Sequence, residues 1–131
     1  MLKAIVAKGA GGRVIAMDSI TQATPKDAGA IVVSGSHGGA SSGEIALGVP
    51  LRAVFFNDAG IGKDGAGVVA LDMLQARGIA AGTVAHASAR IGDALDAWEH
   101  GVLSRCNEAA RKLGLEPGAG LKAALSALLA P

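Results

Sequence analysis

Three short polar segments hold most of the side chains in this chain that could do chemistry. They read SGSHGG, NDAGIGKD and HASARIGD, and they begin at Ser34, Asn57 and His86. Each follows a short apolar run. Their imidazoles and carboxylates are suited to proton transfer, while their Lys and Arg side chains are suited to binding an anion. The pattern therefore predicts a small-molecule site assembled from three segments.

The first segment places Ser36 and His37 at the end of an apolar run. We expect both to be catalytic, with Gly38 and Gly39 allowing backbone N–H groups to approach a substrate. Neighbouring residues of an extended strand point to opposite faces, which argues against a Ser–His–Asp triad built on this pair. Farther on, the Ser41/Glu44 spacing favours a capping box at the start of a short helix, about 42–47.

The second segment places Asn57 and Asp58 directly after an apolar run that contains two phenylalanines. We expect Asp58 to be catalytic, with a pKa raised by partial desolvation, and Asn57 to bind substrate. Lys63 is expected to act in catalysis by neutralising an anionic group, although an ion pair with Asp58 is the alternative. Asp64 is expected to begin a helix that runs to about Arg77 and ends at Gly78. The spacing does not match a Walker A motif, so nucleotide triphosphate hydrolysis is not indicated.

The third segment carries His86, Ser88 and Arg90, for which we predict substrate binding. Arg90 could hold a carboxylate or phosphate with two hydrogen bonds. A buried, hydrogen-bonded structural role is the alternative for His86. For Asp93 the alternative to a ligand-binding role is a helix N-cap.

The elements around these segments predict one α/β domain over residues 1–131. Apolar runs at 30–33, 53–56 and 81–85 are typical of buried strands, and helical patterns separate them. We expect a three-layer fold with a mostly parallel sheet, flavodoxin- or Rossmann-like, with an N-terminal hairpin formed by 2–7 and 13–17. Parallel strands would open all three segments at one edge of the sheet.

The C-terminal half of the chain shows helix signals and one further candidate strand. Residues 102–104 are the candidate strand, and Asn107 is expected to cap a helix in which Glu108 pairs with Lys112. From Leu121 onward, apolar residues recur at helical spacing, so this helix must dock on the sheet or on a partner subunit.

Composition excludes several classes of protein. The 131 residues carry a net charge of +1 with no basic run, which argues against a nucleic-acid partner. No run of about 20 apolar residues exists, so no membrane span is expected, and a cytoplasmic location follows by default. The single cysteine, Cys106, is expected in the core. The low charge density indicates a homo-oligomer.

Two classes of function fit these observations. The first is an enzyme acting on a small anionic or amide-containing metabolite, as a hydrolase or as an acid–base lyase or isomerase. The second is a non-catalytic domain that binds or senses a small anion. No cofactor is predicted, since no dinucleotide fingerprint is present. Metal assistance is a third reading, but no two of its possible ligands lie at a diagnostic spacing; those ligands are His37, His86, Asp58 and Asp93.

Overall fold

The computed structural model describes all residues, 1–131, and contains one six-stranded sheet and five α-helices. The strands are β1 (Lys3–Gly9), β2 (Gly12–Met17), β3 (Ile31–His37), β4 (Ala53–Asn57), β5 (Ala80–Val84) and β6 (Leu103–Cys106). The helices are α1 (Ala40–Leu47), α2 (Val69–Gln75), α3 (Ala94–His100), α4 (Glu108–Lys112) and α5 (Leu121–Leu129). None of these helices has the length and apolar character needed to cross a membrane.

The sheet is mixed. Its strands lie side by side in chain order; β2 to β5 are parallel, whereas β1 and β6 run antiparallel at the two edges. The expected α/β class is therefore confirmed, but the parallel arrangement holds only for the four central strands. The strand order has no reversal of the kind that forms the crevice of a doubly wound sheet, so the flavodoxin- or Rossmann-like detail is not confirmed.

The N-terminal hairpin is confirmed. β1 and β2 are joined by a tight turn in which Gly12 has a φ of 121°, a conformation that favours glycine. The turn is anchored on the rest of the molecule, because Gly11 donates a backbone hydrogen bond to Leu129 and its carbonyl accepts one from the Arg52 side chain.

Alternation along the central strands supplies two apolar cores, one on each face of the sheet. In β4, Phe55 belongs to the core shared with α3, α4 and α5, whereas Phe56 belongs to the core shared with α1 and α2. Leu125 of α5 is fully buried in the first core. The C-terminal helix therefore docks on the sheet of its own chain.

Two of the expected helix starts are wrong. α1 begins at Ala40 with Gly39 as its N-cap, so Ser41 lies inside the first turn and forms no capping box. α2 begins only at Val69, because Asp64 has a φ of 57° and lies in a separate 3₁₀ turn, Lys63–Gly65. Both errors arise where glycines shift the start of a helix: α1 begins before Ser41, and α2 begins after Asp64.

The other local signals are confirmed. Asp93 accepts a hydrogen bond from the Asp96 amide and caps α3, and Asn107 accepts one from the Ala110 amide and caps α4. The Glu108–Lys112 pair is 3.5 Å apart. Other confirmed features are the left-handed Gly78, the strand near 102–104, which is β6, and the buried Cys106.

Candidate functional site

The three polar segments meet at one edge of the sheet. β3, β4 and β5 are parallel; His37 lies opposite Asn57, and Asn57 lies opposite Val84. Because the carboxyl ends of these strands are in register, the segments that follow them emerge on the same side. The expected common edge is therefore present.

The third segment crosses this edge as a strap, defined here as residues 86–93. The Asn57 side-chain amide donates to the Ala89 carbonyl at 3.0 Å, and the Gly92 amide donates to the Gly35 carbonyl at 2.8 Å. The strap therefore runs from the end of β5 over β4 to β3. Asn57 is almost fully buried beneath it, so this residue anchors the strap and does not face a ligand.

Asp58 and His86 form a carboxylate–imidazole pair at the edge. Oδ1 of Asp58 lies 3.4 Å from Nδ1 of His86 and also accepts hydrogen bonds from the backbone amides of His86, at 3.0 Å, and Gly60, at 2.8 Å. The Asp58 side chain is 5% exposed, whereas the His86 side chain is 64% exposed. A fixed, buried carboxylate therefore supports an imidazole that faces solvent. The alternative of a buried structural histidine is wrong for His86.

The expected rise in the Asp58 pKa is also wrong. Desolvation by burial does raise it, but the nearby Ser104 hydroxyl, the hydrogen bonds from the Gly60 and His86 amides, and the charge of His86 together outweigh burial. The pKa of Asp58 is therefore lowered from its usual value. Asp58 is a permanent anion near neutral pH, which suits a group that orients a base better than it suits a proton donor.

A left-handed turn, Ala59–Gly62, follows Asp58. All four of its residues have positive φ, including 51° at Ala59 and 68° at Ile61. The turn uses its own amides: Ala59 donates to the Asn57 side chain, Gly60 to Asp58, and Ile61 to the Asp58 carbonyl. This turn therefore does not present a set of free N–H groups to a ligand.

His37 lies at the mouth of a shallow cavity of about 240 Å³ beside this turn. The other lining residues are Ala59, Ile61, Gly62, Ala66 and Gly67. Nδ1 of His37 accepts a hydrogen bond from the Gly39 amide at 3.1 Å, so the neutral ring carries its proton on Nε2. His86 has the opposite arrangement, with Nδ1 toward Asp58 and Nε2 free. The His86 ring lies over Gly60, next to the cavity residue Ala59.

The two candidate serines are engaged in structural hydrogen bonds. Ser36 accepts one from the Ile20 amide at 2.9 Å, and the hydrogen bonds of the chain join it to neither His37 nor Asp58. Ser88 donates to the Ala85 carbonyl and accepts from the Val102 amide. The geometry therefore pairs Asp58 with the His86 imidazole but not with a serine nucleophile.

The candidate glycines position the first segment. The Gly38 amide donates to the Asn57 carbonyl at 3.0 Å, and a Cβ at Gly38 would lie 2.6 Å from the Gly67 carbonyl oxygen. The absence of a side chain at Gly38 thus lets the segments after β3 and β4 pack together. Gly39 likewise leaves room for the His37 ring, since a Cβ at Gly39 would lie 2.7 Å from that ring.

The two candidate cations face solvent. Lys63 is exposed and forms no ion pair, so the alternative of a Lys63–Asp58 pair is wrong. Arg90 is 80% exposed at its side chain, with its guanidinium 3.9 Å from Asp93. Both remain available to an anionic ligand. No three His, Cys, Asp or Glu side chains lie close enough together to share a metal ion, so the four residues considered for metal assistance do not form a group.

Two features of the edge were not identified from the sequence. Asp18, directly after β2, accepts hydrogen bonds from the Leu2 and Ala94 amides and so ties the start of α3 to the same edge. Those bonds lower its pKa. Ser104 of β6 hydrogen-bonds Thr83 at 2.9 Å and contributes to the environment of Asp58. For Asp18, the sequence signal that could have identified it is its position directly after an apolar strand, which it shares with Asp58. No sequence signal pointed to Ser104.

Comparison with protein-family models, with curated proteins and with solved structures gave no match for this chain.

Proposed function

We propose that this protein is an enzyme that uses general acid–base chemistry on a small anionic or amide-containing metabolite bound at the carboxyl edge of the sheet. The observation that supports this most strongly is the Asp58–His86 pair: a buried, hydrogen-bonded carboxylate holds an exposed imidazole at 3.4 Å. Such a carboxylate fixes the ring and its tautomer, leaving Nε2 free to take a proton.

In this proposal His86 is the base and His37 is the complementary hydrogen-bond donor. The Gly39 amide keeps the Nε2 proton on neutral His37, directed away from the backbone. The two rings flank neighbouring residues, Gly60 and Ala59, so one small substrate could contact both. Lys63 and Arg90 supply positive charge for an anionic group.

The reaction class that fits best has no covalent serine intermediate, because no imidazole or carboxylate hydrogen-bonds the Ser36 hydroxyl to activate it. His86 would either abstract a proton from carbon, as in a lyase or isomerase, or activate water for hydrolysis. In both cases Asp58 stays ionised and stabilises the imidazolium that forms. The expected homo-oligomer is not required by this site and stays a prediction.

A ligand screen followed by an activity assay tests the proposal. Thermal unfolding would be measured with succinate, succinamide and glycerol 3-phosphate, and a site ligand at about 100 times its Kd should stabilise the fold by ~2.7 kcal/mol. Consumption of the same compounds would then be followed by NMR. His86→Gln should lower the rate by about 10²–10⁴-fold with little change in ligand affinity.

Two further variants sharpen the outcome. Asp58→Asn keeps an oxygen that can accept the Gly60 and His86 amides but removes the charge, so the rate should fall while the fold persists. His100→Gln is the matched control, since His100 is exposed at the end of α3. A compound that binds but is never consumed, with equal affinity for wild type and His86→Gln, would instead identify a small-anion binding domain.

A further inference from the structure

The α1/α2 face of the sheet is left uncovered at the N-terminal hairpin. The core on this face includes Ile15 and Met17 of β2 but no residue of β1. On the opposite face, Val6 and Ala7 of β1 pack against the core that contains α5. One side of the hairpin therefore lacks the third layer that covers the rest of the sheet.

This uncovered side forms a groove of about 340 Å³, the hairpin groove. Its lining residues are Lys3, Ala4, Ile5, Arg13, Ile15, Lys26 and Asp27. Ile5 and Ile15 lie opposite each other across the two strands. Ile15 is buried, but Ile5 is 50% exposed. The groove therefore has an apolar floor that solvent reaches, within the size range of small-ligand pockets.

The rim of the hairpin groove is cationic. Lys3 is neutralised by Asp27 at 2.9 Å, and this contact, with the Thr24 amide, lowers the Asp27 pKa against the opposing effect of burial. Arg13 donates to the Lys26 carbonyl at 3.0 Å, which fixes its guanidinium, and its charge also acts on Asp27 without a direct ion pair. Neither Arg13 nor Lys26 forms an ion pair with a carboxylate. Two positive charges are thus unbalanced beside an apolar floor.

We propose that the hairpin groove is a second binding site, which takes a small amphipathic carboxylate. The carboxylate contacts Arg13 and Lys26, and the hydrocarbon part covers Ile5. A guanidinium held by backbone carbonyls is preorganised for such a head group. A second copy of the chain packed symmetrically on this groove would place like charges against each other, which disfavours that occupant. The site is independent of the acid–base proposal.

Octanoate is a suitable probe. In a two-dimensional NMR titration, the amide signals of Ile5, Arg13 and Lys26 should shift saturably, and added salt should weaken binding. Arg13→Gln and Lys26→Gln should each weaken octanoate by about tenfold, because each removes a charged contact. Lys26 is exposed, so its variant keeps the fold. Ile5→Ser should also weaken binding.

Matched controls make the result decisive. Ile91 is 51% exposed on the strap, so Ile91→Ser removes an equally exposed isoleucine and should leave octanoate affinity unchanged. Lys112→Gln controls for general loss of charge. Equal affinity for octanoate and 1-octanol would show that the cationic rim does not bind the carboxylate. NMR shifts confined to other surfaces would show that octanoate does not bind in the hairpin groove. Concentration-dependent sedimentation that Ile5→Ser abolishes would assign the groove to a second copy and overturn the proposal.

Discussion

At the carboxyl edge, single residues adopt unfavourable backbone conformations that place neighbouring groups in the site. Ala59 and Ile61 occupy the left-handed region that glycine tolerates and other residues rarely adopt, and for a β-branched residue such as Ile61 it is a marked departure. The turn they form directs the Gly60 amide onto Asp58 and brings Ala59 beside the His37 cavity. Strain of this kind persists where the surroundings determine the conformation, as the hydrogen bonds of this turn do.

Because Ala59 is strained, the same Ala→Gly substitution should change the free energy of unfolding in opposite directions at Ala59 and at an ordinary helical alanine. Ala59 is exposed with a φ of 51°, so Ala59→Gly should raise the free energy of unfolding by about 0.5–1 kcal/mol. Ala123 is exposed within α5, where Ala123→Gly should lower it by a similar ~0.5–1 kcal/mol. Urea denaturation of both variants measures the difference. A loss of stability at both positions would show that Ala59 is not strained.

The tautomer of His37 also depends on one residue. A Cβ at Gly39 would lie 2.7 Å from the His37 ring, and because that ring is exposed it should rotate away from the Gly39 amide. Gly39→Ala should therefore shift the ¹⁵N signals of His37 from a single Nε2–H tautomer to a mixture, and leave those of His86 unchanged. Gly120 has an ordinary φ of −67° and open space around it, so Gly120→Ala is the control. A His37 spectrum unaffected by Gly39→Ala would contradict the assigned contact.

At the scale of elements, the sequence predicted what apolar periodicity and local caps control. The buried strands, the hairpin and the caps at Asp93 and Asn107 are signalled by residues within a few positions of each element. The helix starts expected at about 42 and 64 are wrong, because α1 begins earlier, after Gly39, and the glycines around Asp64 delay the start of α2. The antiparallel direction of β6 depends on its pairing with β5, on the far side of α3, which periodicity does not encode.

The candidate site was predicted at the level of segments but not of contacts. A parallel central sheet was enough to bring His37, Asp58 and His86 to one edge. That Asn57 anchors the strap, that Ser36 is engaged by Ile20, and that amides lower the Asp58 pKa all depend on backbone groups whose positions no residue pattern gives. Polar residues at strand ends thus indicate the location of the site, while the role of each residue depends on its contacts in the folded chain.

The C-terminal helix contributes to stability through its buried stripe. Leu125 is fully buried against the sheet, so Leu125→Ala should lower the free energy of unfolding by about 2–5 kcal/mol through lost burial and a cavity. Leu113, just after α4, is 37% exposed, and Leu113→Ala should cost much less, about 1 kcal/mol or below. Denaturant unfolding at one protein concentration compares them. Equal losses would mean that α5 does not dock as described.

For the whole molecule, three buried or hydrogen-bonded carboxyls make the fold sensitive to acid. Asp18, Asp27 and Asp58 all have pKa values lowered in the folded state, so the unfolded chain binds more protons and their stabilisation is present above the unfolded pKa of about 4. The free energy of unfolding should hold between about pH 5 and 7 and fall as pH drops through the folded pKa values.

Asp27→Asn should lower the free energy of unfolding at pH 7 by about 1–3 kcal/mol and reduce the further loss of stability in acid, since the charged contact with Lys3 is gone. The comparison variant is Asp64→Asn, since Asp64 is exposed and forms no ion pair. If both variants lose stability in acid to the same extent, Asp27 does not contribute to the acid sensitivity of the fold.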